Sequence, residues 1–269
     1  MSCETGVTAW SAADAPLTAQ LMEFCTELAS PADLPVWQSL LQGGAEPALY
    51  VGAGAGRRAL ALAEAGQRII AVEASPTMAA AFRARLAASA PALRERIALV
   101  EARIEDARPR QRCAAVIAPG MLLNYAVTEP ACQLAFLRAC RAWLGRGGVL
   151  GLELYNPYFL MSEGTVHLPS GPAQPGDRVW LSMTIQRAAV DPWSQRCSGY
   201  RLLCERFEPG GEVRRYVIPT SLVVAVFPRE LALLLDAAGF RLEGVQALRA
   251  GGRPPSAADL TVLARARAR

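Results

Sequence analysis

The hydrophobic rhythm of the chain changes several times, and each change predicts a different kind of element. From about Thr8 to Gln42, Leu17, Leu21, Phe24, Cys25 and Leu28 recur at helical spacing, which predicts one or two helices broken by Pro31 and Pro35. Gly43 and Gly44 then mark a loop. From Ala48 onward, short continuous apolar runs alternate with helical segments. The runs are Ala48 to Val51, Arg68 to Val72, Ile97 to Val100, Ala114 to Ile117 and Val149 to Leu154. Between them, one helix runs to about Ala65 and stops at Gly66. A second starts on Ser75-Pro76 and runs toward Ala88, and a third spans Pro130 to Leu144. Uninterrupted apolar strands separated by helices predict a parallel sheet covered on both faces.

The rhythm breaks after Asn156-Pro157. A Pro/Gly-rich loop from Pro169 to Gly176 precedes three strand-like runs, Arg178 to Val190, Gly199 to Phe207 and Glu212 to Phe227. Turns near Asp191-Pro192 and Pro209-Gly210-Gly211 separate them, which predicts an antiparallel meander. A helix from Pro228 to Ala238 and strands over Arg241 to Ala247 and Leu260 to Ala264 close the chain. The expected fold is doubly wound α/β with two additions. Residues 1–44 form a helical extension, 45–157 and 228–269 the main domain, and 158–227 an antiparallel insertion. Both additions are placed to roof the strand ends.

Composition narrows the function classes. With 269 residues, 52% hydrophobic and 19% charged, the chain can bury a sizeable core and is not disordered. The net charge of +4 is scattered, and the arginines at 265, 267 and 269 read as a solvated terminus. No basic patch interleaves with aromatics, so nucleic acid is not an expected partner. The seven cysteines include no Cys-x-x-Cys pair, and His167 is the one histidine, so no metal site is expected. Reduced thiols, no signal sequence and no membrane span are expected, which reads as a cytoplasmic protein.

The chemistry centres on Gly52-Ala53-Gly54-Ala55-Gly56, between the first strand and the first helix of the alternating region. Without Cβ atoms, such a loop lets the main chain approach a ligand at a helix N-terminus. Glu73 ends the next strand, where a carboxylate can accept hydrogen bonds from both hydroxyls of a ribose. A dinucleotide fingerprint needs a small residue where Arg57 stands.

The G-x-G-x-G spacing resembles the class I S-adenosylmethionine-dependent methyltransferases. The likeness runs from about Leu49 to the C-terminus and includes Val72-Glu-Ala-Ser-Pro-Thr-Met78, Ile97 to Ala107, Val116-Ile-Ala-Pro-Gly120 and Leu144-Gly-Arg-Gly-Gly-Val149. Tyr155-Asn156-Pro157 and Phe227-Pro-Arg-Glu-Leu231 are similar to small-molecule members. The resemblance implies a Rossmann-like seven-stranded sheet whose last strand is antiparallel, with S-adenosylmethionine as cosubstrate and no metal. It implies that Gly52, Ala53, Gly54 and Gly56 line the methionine and ribose side and that Glu73 holds the ribose diol. Ala74 and Ser75 would lie against the adenine, Ile104 and Glu105 at its edge, and Ala118 and Pro119 beside the sulfonium.

Two positions depart from the family pattern. Tyr50 stands where an acid usually approaches the methionine amine, and Arg103 where an aspartate usually approaches the adenine. Arg103 is read as solvent-facing, with Glu105 or Asp106 in its place. Tyr50 is either a packed strand residue or an aromatic face for the sulfonium. The expected reacting pocket is Tyr50, Asn124, Tyr125, Tyr155, Asn156 and Tyr158, on the rim where ligands bind in such sheets. His167 is read as a solvated loop residue, and Trp180, Tyr200 and Tyr216 as packing on the meander with a possible place in an acceptor pocket.

Three functions stay open. One is methyl transfer to a small metabolite at nitrogen, oxygen or activated carbon. In another, loss of the acid at position 50 frees the methionine amine to attack its own γ-carbon, releasing methylthioadenosine as in azetidine-2-carboxylate synthesis. The last is a non-catalytic S-adenosylmethionine-binding protein. The partner is a small-molecule acceptor or none, and exposed meander strands could pair two subunits as a homodimer.

Overall fold

The computed structural model describes residues 33–41, 47–162, 164–172, 180–187, 189–207, 210–248, 253–257 and 259–269. The helices expected between residues 8 and 32, and the loop at Gly43-Gly44, lie outside them. The first described element is helix α1 (Leu34–Leu40). Pro35 does not break it but occupies its first turn, where an amide hydrogen has no intrahelical partner to lose.

The main body then alternates as the apolar runs require. Strand β1 (Ala48–Val51) leads through the glycine loop into α2 (Arg57–Glu64) and β2 (Ile69–Glu73). Helices α3 (Pro76–Ala88) and α4 (Pro91–Arg94) precede β3 (Ile97–Glu101) and β4 (Cys113–Ala118). Helices α5 (Leu122–Tyr125) and α6 (Pro130–Ala142) lead to β5 (Leu144–Tyr155), then α7 (Pro157–Leu160). After the second sheet come α8 (Pro228–Ala237), β11 (Phe240–Ala247) and β12 (Thr261–Ala268).

The main sheet has seven strands in the order β11-β12-β5-β4-β1-β2-β3. Strands β1 to β5 pair in parallel, and β12 runs antiparallel to β5 and β11. The side-chain period of two sends Leu49, Val51, Val116, Leu150 and Leu152 into one core layer. Ala48, Tyr50, Ala71, Ala115 and Ile117 enter the other layer with Trp37 and Leu40 of α1. Chain order reverses at β1 and β4, so the ends of these strands open onto the crevice where sheets of this kind take ligands.

The second sheet has five strands where the sequence predicts three runs. They are β6 (Gly164–Pro172), β7 (Trp180–Arg187), β8 (Ala189–Asp191), β9 (Arg196–Phe207) and β10 (Val213–Val224). All pairings are antiparallel, in the order β10-β9-β7-β6 with β8 on β9. The expected loop from Pro169 is a correction, because β6 continues through Pro169 to Pro172. As an edge strand it can hold prolines, and its register shifts between Leu168 and Gly171. The side chains of Trp180, Tyr200 and Tyr216 lie outside what is described.

Among the described residues no helix is long and apolar enough to cross a membrane. Cys140 and Cys197 are buried free thiols, and Cys113 is buried outside any disulfide. Cys132 is disulfide-bonded, a correction to the expectation of reduced thiols throughout. Spacing alone does not tell which cysteines meet in space.

Gly56 caps α2 at φ 89°. A Cβ there would stand 2.1 Å from the Phe82 ring, on α3, so its bareness serves helix packing. Gly56→Ala adds that clash to a left-handed backbone and is expected to cost roughly 2–4 kcal/mol of stability. A chemical denaturation curve with an unchanged midpoint would mean that Phe82 yields freely.

Candidate active site

The glycine loop and the end of β2 are built as one unit. Gly52 and Ala53 donate to Val72 O at 2.9 and 3.1 Å, and Gly56 donates to Ala53 O at 3.0 Å. Gly54 N donates to Glu73 Oε2 and Ser75 N to Glu73 Oε1, each at 2.7 Å. These amides are engaged within the protein. What the loop offers a ligand is therefore the open surface at Gly54, where an added Cβ would meet nothing within 4 Å. Gly52 and Gly54 lie at φ 69° and 56°, a region that side-chain-bearing residues rarely enter. At Gly52 a Cβ would stand 2.8 Å from Leu122, so that glycine also serves packing.

Glu73 is 8% exposed. Burial pushes its carboxyl upward, and the N–H groups of Ser75, Gly54 and Ala74 oppose the shift. Each oxygen accepts one of the two short bonds above, which leaves lone pairs for further donors. Ser75 caps α3, accepting from Met78 N at 3.4 Å. Ala74 is exposed beside it, Ile104 is buried, and Glu105 is half-buried. Arg103 Nη2 lies 3.5 Å from Glu105 Oε1, while Asp106 is exposed. Ala118 and Pro119 are buried at the end of β4.

Beside this unit, on the face that carries α1 and α2, lies a charge cluster that the sequence reading missed. Tyr50 is buried, and burial raises its phenol to about 12 even though the charge and hydrogen bond of Arg58 pull the other way. Arginine has donors only, so the Tyr50 oxygen accepts and its own proton remains available. Arg58 Nη2 lies 2.9 Å from Asp33 Oδ2, and Nη1 lies 3.7 Å from Glu153 Oε2. Burial opposes the Arg58 charge, but Tyr50, Glu153 and Asp33 together hold its proton more tightly than usual. Glu153 Oε2 accepts from Gly120 N at 2.7 Å, which ties the cluster to the loop after β4. Trp37 Nε1 donates to Asp33 Oδ2 at 3.1 Å. Asp33 is 1% exposed, and its Oδ1 is buried with no hydrogen-bond partner. Two of these residues carry a signal in the sequence. Glu153 interrupts an apolar strand, and Arg58 puts a cation at a helix N-terminus, where the dipole disfavours it. Asp33 carries none, because only the fold brings it near.

The remaining expected pocket residues divide by what they touch. Asn124 is fully buried, with Nδ2 donating to Val224 O at 2.8 Å and Oδ1 accepting from Tyr155 N at 2.9 Å. Asn156 donates to Ser256 O and Asp259 O at 2.7 and 2.9 Å and accepts from Tyr158 N at 3.1 Å. Both amides are thus fasteners between segments far apart in sequence. Tyr158 is exposed and meets Phe227 edge to face at 5.7 Å. Tyr125 is half-buried. Burial drives its acidity far down, and Tyr155, Glu73, Glu153 and Tyr50 add to the effect, so its hydroxyl keeps its proton among the site carboxylates. Tyr155 is buried at the end of β5. His167 is not in a loop but on β6, exposed, with Nδ1 2.8 Å from Thr184 Oγ1. Among the described residues no group of His, Cys, Asp or Glu is arranged to hold a metal ion.

Residues 48–148 match a family model described as a methyltransferase domain. A comparison with curated proteins finds no match. Among solved structures, the CcbJ methyltransferase of Streptomyces caelestis aligns with a TM-score of 0.66 at 23% identity, over 88% of this chain and 90% of its own. The sugar N-methyltransferase KedS8 of a Streptoalloteichus species gives 0.65 at 19% identity, over 89% and 87%. CalS10, an amino pentose methyltransferase of Micromonospora echinaspora solved with S-adenosylmethionine, gives 0.64 at 17% identity, over 97% and 98%. At these identities the likeness is one of fold, and it extends beyond the matched domain to most of the chain. With the family match over the glycine loop and its neighbouring strands, residues 48–148 are a methyltransferase domain, and the chain as a whole shares the fold of these solved methyltransferases.

Proposed function

We propose that the protein transfers the methyl group of S-adenosylmethionine to a nitrogen, oxygen or activated carbon of a small-molecule acceptor, without a metal. The observation that carries this reading is the open surface at Gly54 set against the buried carboxylate of Glu73. When bound, the cosubstrate supplies a methyl carbon activated by a positive sulfur. The protein's task is alignment and exclusion of water. Glu73 has lone pairs left for a ribose diol. Tyr125, which keeps its proton, and Tyr155 stand at the ends of α5 and β5, beside the reacting space.

The charge cluster suits the amino-acid end of the cosubstrate. That end is a zwitterion, and the cluster holds one guanidinium between two carboxylates. Arg58, with the free Tyr50 proton, suits a carboxylate, and the unpartnered Asp33 Oδ1 suits an ammonium. Asp33 and Glu153 thus supply the negative charge that position 50 lacks. They also favour the protonated amine, which cannot act as a nucleophile, and so weigh against self-cyclisation. Solved neighbours described as a sugar N-methyltransferase and an amino pentose methyltransferase support a small amine-bearing acceptor.

Three measurements test the reading. Purified protein with S-adenosylmethionine alone is expected to release no methylthioadenosine, and S-adenosylhomocysteine is expected only once an acceptor such as an amino sugar is added. Methylthioadenosine formed without acceptor would overturn methyl transfer in favour of cyclisation. Glu73→Ala is expected to weaken S-adenosylhomocysteine and methylthioadenosine alike, by roughly 1–3 kcal/mol, because both carry the ribose. Asp33→Asn is expected to weaken S-adenosylhomocysteine by a similar ~1–3 kcal/mol and leave methylthioadenosine, which lacks the amino-acid end, unchanged. Equal losses for the two ligands in Asp33→Asn, read by calorimetry, would remove Asp33 from that role.

A further inference from the structure

Away from the cosubstrate cleft, one buried side chain carries a charge that no described residue answers. Arg187 closes β7 and is 8% exposed. Its Nη1 donates to Phe159 O and, at 2.8 Å, to Ser162 Oγ, both uncharged acceptors. The guanidinium carbon stands 4.2 Å from the centroid of the Phe159 ring. Nε is buried and has no hydrogen-bond partner. Nη2 faces Gly164, where an added Cβ would come within 3.7 Å of it. Near it lies the buried thiol of Cys197. Burial raises the pKa of that thiol, and the Arg187 charge only partly offsets the shift.

Among the described residues no carboxylate pairs with this guanidinium. Asp191 on β8 accepts from Trp193 N and Ser194 Oγ, and Glu230 on α8 accepts from Phe227 N. A buried cation without a counter-charge is costly to keep. A ligand that brings the opposite charge removes that cost. The geometry also selects the ligand's shape. Nε and Nη2 form the side-on edge of a guanidinium, the edge that matches a carboxylate or a phosphate with two parallel hydrogen bonds. It is the opposite corner, Nη1, that the protein already holds.

The location joins this edge to the chemistry. Phe159 and Ser162 follow directly on Tyr155-Asn156-Pro157 at the carboxyl end of β5. The four residues of α7 rise about 6 Å, so Arg187 packs roughly one helical turn from the reacting rim. We infer that Arg187 recognises an anionic group, a carboxylate or a phosphate, carried by the methyl acceptor. This inference rests on the methyltransfer reading, and it makes the acceptor a small molecule with a nucleophile at one end and an anion at the other.

Phosphate and acetate serve as probes, titrated separately into the full chain with and without S-adenosylhomocysteine and followed by calorimetry and by Tm. Saturable binding of at least one is expected, in about the millimolar range for so small a ligand. Arg187→Met is expected to weaken it at least about tenfold. Arg187→Lys keeps a charge but lacks the two-donor edge, and is expected to fall between. Which anion binds more tightly tells a phosphorylated acceptor from a carboxylic one. No saturable binding to the parent protein, or equal binding to Arg187→Met, would overturn the inference and leave Arg187 a packing strut. If Arg187→Met does not fold, Arg187→Lys decides: affinity equal to the parent overturns the two-donor assignment. S-adenosylhomocysteine binding in the same samples separates this failure from failure of the methyltransferase reading, which would appear as loss of that binding.

Discussion

The clamp of Glu73 on the main chain around it is the constraint from which the site follows. A carboxylate this buried must be hydrogen-bonded, and its two short bonds come from backbone amides at Gly54 and Ser75. Those amides belong to different crossovers, one after β1 and one after β2. They meet at Glu73 because the parallel register sets Val51 opposite Val72, so both strands end together. The same carboxylate therefore closes the glycine bend and orients the start of α3. The fold requires a donor-rich bend at this point, and the carboxylate keeps lone pairs for further donors.

The cluster around Arg58 obeys a harsher version of the same rule. Ionised groups removed from water are retained only with good geometry and additional hydrogen bonds. Here the partners come from three directions: Asp33 beside α1, Glu153 from β5, and Tyr50 from β1. Gly151 makes this possible, since a Cβ there would stand 2.4 Å from Leu40, and its absence lets α1 lie flat on β5. Trp37 then packs into the core and donates to Asp33. Hydrophobic docking of α1 and charge pairing under the loop are thus one event. Displacing α1 would strand Arg58 beside a single distant carboxylate.

Much of this was legible in the sequence because local rules and the fold agree there. The runs at β1, β2 and β4 are apolar on both faces, the glycines hold left-handed backbone, and Glu73 stands at a strand end. Less was legible where long-range contacts override local pattern. Asn124 and Asn156 have the composition of a polar pocket, yet their amides join segments about 30 and 100 residues away, as far as sequence separation can hide a partner. Pro169 reads as loop, and edge pairing turned it into strand. Gly56 reads in the sequence as part of the ligand loop, and its packing against Phe82 shows only in the fold.

Tyr50 shows how an apparent loss can be a relocation. An acid at that position would join Asp33 and Glu153 around a single guanidinium. Three carboxylates facing one cation in a buried site could not all stay ionised, and one would take up a proton. A phenol avoids that conflict: it accepts from Arg58, keeps its own proton, and adds no charge. The negative charge that most such sheets carry on β1 is here carried beside α1 and on β5. If Asp33 meets the cosubstrate's ammonium as proposed, a phenol at position 50 is what electrostatic balance in the cluster requires. On this argument the residues to change together are 33 and 50, since either carboxylate alone balances the site and both together overload it.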